Sequence, residues 1–173
     1  MTALAFRPLD LASDLGRVSG WMAQPHVVPW WELGGGEEVV GAYLAGQQAL
    51  AHLDMWIVSD DGGPFAYVET YRVADDPLAA YYDARPGDRG FHLLVGPPER
   101  LGTGIGRTLV SEIVMRLLAR PGTTRVICEP DVRNARMLAC CRALAGDELG
   151  PIEQPGRRAV LVAWSRKAWT AAA

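Results

Sequence analysis

Histidine and cysteine are scarce in this chain, three of each among 173 residues, and their placement excludes two classes of protein. Cys128, Cys140 and Cys141 cannot all pair internally, and the adjacent Cys140 and Cys141 are poorly placed to bond each other, so a disulfide scaffold is excluded. His26, His52 and His92 fall in separate segments. No Cys-x-x-Cys or His-x-x-x-His spacing sets two ligands on one face, and no metal is expected. An excess of positive charge is missing too. Seventeen Lys and Arg stand against 20 Asp and Glu, for a formal charge of -3, with no cationic stripe to neutralise a phosphate backbone, so nucleic acid is not an expected partner. No apolar run reaches the roughly 18 residues of a membrane span. Met1 to Leu11 carries an acid and a proline where a signal segment would be apolar, so no membrane segment is expected and the cytoplasm is the expected compartment.

What is present suits one globular domain over residues 1–173 and one active site: 49% of residues are apolar and 21% charged. Phe6 to Leu9 reads as a strand. Asp10 to Met22 reads as a helix, with Leu11, Leu15, Val18 and Met22 at helical spacing and Asp10 or Ser13 as its cap. Gln24 to Gly36, with Pro25, Pro29 and three consecutive glycines, is a loop or broken helix carrying Trp30-Trp31. A helix follows from about Glu37 to Leu50. Met55 to Val58 and Phe65 to Tyr71 flank a run of turn formers and read as an antiparallel hairpin. A polar excursion from Arg72 to Arg89 is long enough to suggest a binding role, and it ends at a strand, Phe91 to Val95. The helix Ile105 to Ala119 is strongly periodic in Ile105, Leu109, Ile113 and Leu117. A short strand, Arg125 to Glu129, a helix from about Asn134 to Ala145 and a last strand, Ala159 to Trp164, complete the reading. There is no internal repeat and no dividing linker.

The chemistry starts at Leu101-Gly102-Thr103-Gly104-Ile105-Gly106, between an apolar strand and that periodic helix. Glycines let the backbone approach an anion, and the first helical N–H groups point outward with the positive end of the helix dipole, an arrangement that suits a pyrophosphate. A tight connection with no ligand fits the same glycines. A Walker loop does not fit, since Arg107-Thr108 follows the last glycine where Lys and then Ser or Thr are required. A dinucleotide turn does not fit either, because this one comes late in the chain and misplaces the third glycine.

Around that turn, Arg89-Gly90-Phe91-His92-Leu93-Leu94-Val95-Gly96-Pro97-Pro98 and Leu101 to Gly106 resemble the fourth strand and coenzyme A loop of the GNAT acyltransferase superfamily. Glu129-Pro130-Asp131-Val132-Arg133-Asn134 resembles its fifth strand and the start of the next helix. With Glu69-Thr70-Tyr71 and Asp76 to Asp83, the pattern is similar to the branch that acylates hydroxylamines in hydroxamate siderophore assembly: N6-hydroxylysine acetyltransferases, mycobactin-type lysine N-acyltransferases and N-hydroxycadaverine acyltransferases. The resemblance covers roughly Phe6 to Trp164. It implies an α/β (α+β) fold, with helices flanking a mixed, mostly antiparallel sheet in which parallel strands four and five splay apart. The pantetheine arm would pair near Leu93, Leu94 and Val95, and the pyrophosphate would take amides from Gly102, Thr103, Gly104, Ile105, Gly106 and Arg107. Asn134 matches a residue that hydrogen-bonds the pantetheine. Leu101 departs from the Arg or Gln usual at the head of the loop, and Cys141 stands where many members have a tyrosine that protonates the thiolate; a small buried helix cysteine is the expected role.

The branch places a catalytic His and Asp at the positions of His92 and Asp131, and imidazole can accept a proton at neutral pH. The same residues could instead fill a half-buried strand position and cap the next helix. Trp30, Trp31, Glu69, Tyr71 and Asp83 are the candidate acceptor pocket, since aromatic walls with carboxylates suit an acceptor with a cationic far end; each fits a core or solvated position as well. The implied reaction is transfer of an acetyl or succinyl group from acetyl-CoA or succinyl-CoA to the terminal amine or N-hydroxyamine of a lysine, ornithine or diamine, with an acyl carrier protein as the alternative donor. Aminoglycoside 6'-N-acetyltransferases share the Arg89-Gly90 approach, the glycine loop and a Trp pair, but usually carry an acid at the position of His92. A non-catalytic acyl-CoA-binding module is the reading from another class.

Overall fold

The computed structural model describes residues 3–167 and Trp169. Seven strands form one mixed sheet: β1 (Ala5–Pro8), β2 (Leu53–Asp60), β3 (Gly63–Arg72), β4 (Asp88–Val95), β5 (Arg125–Cys128), β6 (Asp147–Gln154) and β7 (Arg157–Ser165), in the order β1-β2-β3-β4-β5-β7-β6. Helices α1 (Leu11–Met22), α2 (Val28–Trp31), α3 (Glu37–Gln48), α4 (Ile105–Ala119) and α5 (Ala135–Ala143) flank it. The one parallel pair described, β4 with β5, is in register from Asp88↔Arg125 to Gly90↔Ile127. β1 with β2, β5 with β7 and β6 with β7 are antiparallel.

The chain divides into two compact units, residues 3–70 with 92–105 and residues 71–91 with 106–167. In the first, α1 begins where Asp10 turns from extended backbone and accepts the Ala12 amide, an N-cap that satisfies one of the helix's orphan donors. Of the two caps open from sequence, Asp10 takes the role; Ser13 donates its hydroxyl to the Asp10 carboxylate at 2.6 Å. Val18, Met22, Val40, Leu44, Ile57, Tyr67 and Leu94 form the core of this unit. The segment read as a loop or broken helix contains α2, a single turn started by Pro29 at its second position and closed by Glu32 in the left-handed region at φ 56°.

In the second unit α4 spans the residues its periodicity marks, burying Leu109, Val110, Ile113, Val114, Leu117 and Leu118. Asp88 on β4 and Arg125 on β5 face each other at the first position of the parallel ladder, and their side chains bond at 2.6 and 2.8 Å. Strand β6 escapes the sequence reading. Its Asp147-Glu148-Leu149-Gly150-Pro151 run is polar and carries glycine and proline, both depleted in strands. It lies last in the sheet order, where a strand needs pairing on one side only and tolerates proline, and its register with β7 shifts between Glu148 and Gly150. The polar excursion before β4 folds into two short 3-10 turns, Val73–Asp75 and Pro77–Tyr81.

Candidate active site

Glu69 on β3 is the centre of a polar cluster in the first unit. The residue is 1% exposed, and a carboxylate removed from water costs several kcal/mol unless it is bonded. Its bonds come from three elements. Tyr43 of α3 and Tyr67 of β3 each donate a hydroxyl to Oε1 at 2.7 Å, and His92 of β4 donates Nδ1–H to Oε2 at 3.1 Å. An ionised carboxylate can only accept, which assigns the imidazole proton to Nδ1. Tyr67 and Glu69 share a strand face because they are two residues apart. Burial and the neighbouring carboxylate raise the Tyr67 hydroxyl well above its usual range, so it remains a donor.

Trp31 walls this cluster. Its ring lies edge-on to His92 at 6.2 Å between centroids and to Tyr43 at 6.4 Å, and tilts on Tyr67 at 5.7 Å. Its Nε1–H donates to the Leu93 carbonyl at 3.3 Å, and His26 Nε2–H donates to the Val95 carbonyl at 2.8 Å. Two side chains from the segment before and within α2 therefore hold the second half of β4, the stretch named for pantetheine pairing; Leu94 between them is buried in the core. Trp30, also a pocket candidate, is 39% exposed.

After β4 the chain enters the glycine turn. Gly102 and Gly104 have φ of 78° and 89°, the left-handed region that a side chain makes strained. A Cβ built at Gly102, Gly104 or Gly106 meets nothing within 4 Å, so at Gly102 and Gly104 the left-handed backbone, not crowding by neighbours, calls for glycine. Thr103 donates its hydroxyl to the Arg100 carbonyl at 2.7 Å and accepts the Ile105 amide at 3.4 Å, capping the entry to α4. Arg107 is exposed on its first turn.

The remaining candidates belong to the second unit. Asp131 accepts the Arg133 amide at 2.8 Å and its guanidinium through both oxygens. The Arg133 side-chain bond is the main cause holding the Asp131 carboxyl down at about 2. The cap of α5 is Asn134, whose Oδ1 accepts the Met137 amide at 3.1 Å; the helix-capping role open to Asp131 from sequence is filled by Asn134. Tyr71 is buried, donates to Glu129 at 3.5 Å and lays its ring where a Cβ of Gly90 would stand, so only glycine fits there. Asp83 is exposed and lines a cleft of about 290 Å³ with Tyr81, Tyr82, Arg125 and residues 149–152 of β6. Cys141 is buried with its sulfur 3.8 Å from that of Cys128.

The structure thus brings Trp31, Glu69 and His92 together and adds Tyr43, Tyr67 and His26, of which only His26 drew attention in the sequence. Tyr67, two residues before Glu69, could have been found from strand alternation; Tyr43 lies on another element with no local signal. No group of three acidic, His or Cys side chains poised for a metal occurs among the described residues, and none of their helices is long and apolar enough to cross a membrane.

A mixed sheet with a parallel central pair and a glycine turn opening the helix after its fourth strand define the fold class. The acetyltransferase (GNAT) domain model matches residues 10–153, and the chain belongs to that family. It is 32% identical over 130 residues to an N-hydroxyputrescine acetyltransferase of Acinetobacter baumannii, covering 75% of this chain and 62% of that protein. It is 36% identical over 135 residues to an N(6)-hydroxylysine O-acetyltransferase of Escherichia coli, covering 78% of this chain and 43% of that protein. The chain thus spans less than two thirds of the length of these two relatives. Among solved structures, an aminoglycoside acetyltransferase AAC(6')-Ib in complex with coenzyme A superposes with a TM-score of 0.88 over 98% of each chain at 24% identity, a likeness of fold.

Proposed function

We propose that the protein transfers a short acyl group, acetyl or succinyl, from acyl-CoA to the terminal N-hydroxyamine or amine of a lysine, ornithine or diamine acceptor in hydroxamate siderophore biosynthesis; an N-hydroxyamine gives the hydroxamate directly and an amine gives the amide. The observation that carries this reading is the imidazole of His92, paired through Nδ1 with a buried carboxylate and thereby presenting its lone pair on Nε2 as a base. Relatives named for N-hydroxyputrescine and N(6)-hydroxylysine supply the acceptor class.

In the reaction, the acceptor nitrogen attacks the thioester carbonyl, the new bond to carbon forms as the carbon–sulfur bond breaks, and the proton leaving nitrogen passes to His92. The net equation returns that proton as the thiol hydrogen of free CoA. Backbone amides of Gly102 to Arg107 are assigned to the pyrophosphate, the β4 backbone from Leu93 to Val95 to the pantetheine, and Asn134 to a hydrogen bond with the pantetheine. Trp30, Trp31 and Asp83 are the groups we assign to the acceptor, and the ionised carboxylate of Asp131 is assigned to its cationic end.

Thiol release measured with acetyl-CoA or succinyl-CoA and a panel of acceptors tests the proposal. N-hydroxydiamines or N6-hydroxylysine should support the highest kcat/KM. Preference for kanamycin would favour an aminoglycoside acceptor, turnover only with an acylated carrier protein would replace the donor, and CoA binding without thiol release with any acceptor would leave a binding module.

A further inference from the structure

Glu69 entered the pocket as a contact for the acceptor, yet its surroundings direct it elsewhere. Both carboxylate oxygens are bonded inside the protein, Oε1 to two phenols and Oε2 to an imidazole. A side chain that is 1% exposed and has protein donors on both oxygens is poorly placed to receive a substrate ammonium.

We propose that Glu69 is a positioning residue for His92: it holds the ring in the Nδ1–H tautomer, keeps the lone pair on Nε2 and stabilises the imidazolium formed when the acceptor's proton arrives. The inference rests on the base role given to His92 above. Three features argue for it. Two phenol donors occupy Oε1 and leave Oε2 to accept from Nδ1. Tyr43 from α3 and Tyr67 from β3 face the pair, with Trp31 from α2 against the ring edge, and of the three groups bonded to Glu69 His92 is the one that can become a cation. The ring itself is held on one side by the carboxylate and packed on another by Trp31, whose indole is tied to the Leu93 carbonyl. An imidazole fixed by a carboxylate on one nitrogen presents the other as a stronger and better aimed base.

Glu69→Gln decides between positioning and substrate contact. With its carbonyl on the two phenols, the amide turns an N–H donor toward His92 Nδ1 and favours the wrong tautomer. In ¹⁵N spectra of the imidazole, wild type should show protonated Nδ1 and unprotonated Nε2 above its titration. Glu69→Gln should move the proton toward Nε2, lower the titration midpoint and reduce kcat by about 100-fold, with the KM of the acyl donor unchanged. Tyr43→Phe, which keeps the carboxylate and the packing, should leave the tautomer alone and raise the midpoint, because a less solvated carboxylate holds the imidazolium more tightly. The proposal is overturned if the ring keeps its tautomer and midpoint in Glu69→Gln, if that variant raises only the acceptor's KM, or if Tyr43→Phe leaves the midpoint where it was. Undiminished turnover in His92→Ala would instead remove the base reading while the spectra still reported whether Glu69 sets the tautomer.

Discussion

Two buried carboxylates, Glu69 in one unit and Asp88 in the other, are each 1% exposed and each bonded on both oxygens, yet they are built for different ends. Asp88 is bonded by Arg125 through Nε and Nη2, by the Tyr82 hydroxyl at 2.8 Å and by the Arg85 amide at 3.0 Å. Burial pushes its pKa up, but the Arg125, Arg85 and Tyr82 bonds outweigh that and lower it. A guanidinium never releases its proton at working pH, so this pair is a permanent brace at the first position of the β4/β5 ladder. Glu69 has two phenols and an imidazole instead, and an imidazole changes charge near neutrality. On the proposed reading, the kind of partner separates a carboxylate that fastens strands from one that orients a base.

The largest effect expected of this contrast is on stability. Asp88→Asn leaves the Arg125 guanidinium, 12% exposed, without its counter-charge, and breaking a buried pair in this way costs about 3–5 kcal/mol. Urea unfolding should show that loss, whereas Glu69→Gln, which strands no permanent charge, should lose only about 1–3 kcal/mol and show its main effect in kcat. Equal losses in the two variants would erase the distinction.

A smaller effect belongs to Asp131, whose partner Arg133 is itself 68% exposed. Because its folded-state pKa is depressed from 3.8 to about 2, the stability it contributes is complete above 3.8 and is lost as pH falls toward 2. Melting temperatures of wild type and Asp131→Asn should therefore converge across that window. A gap that stays constant from pH 5 to pH 2, outside and inside the window alike, would place the contribution of Asp131 in something other than its charge.

Much of the frame was legible because its signals are local. The four-residue repeat from Ile105 to Leu117 marks α4 to its ends, and Pro121-Gly122 stops it, with Gly122 at φ 77°. Strand β6 was not, since an acidic run with glycine and proline reads as a loop until a neighbour pairs with it. At the site, His92 and Glu69 were visible as residue types, but their bond was not, because 23 positions separate them and only the sheet sets them side by side. The phenol of Tyr43 reaches Glu69 from α3, a contact that no spacing encodes. Asp83, grouped with Trp31 by its chemistry, lines a cleft of the second unit formed with β6, the strand that went unseen.

The central claim is that the imidazole on β4 takes the acceptor's proton. The turnover number of His92→Ala at saturating acyl-CoA and N-hydroxyamine, measured beside its calorimetric affinity for CoA, tests it most directly. A fall of about 10²- to 10⁴-fold in kcat with CoA affinity retained is the predicted result. Turnover within about twofold of wild type, where general-base loss should cost at least 10²-fold, would contradict it.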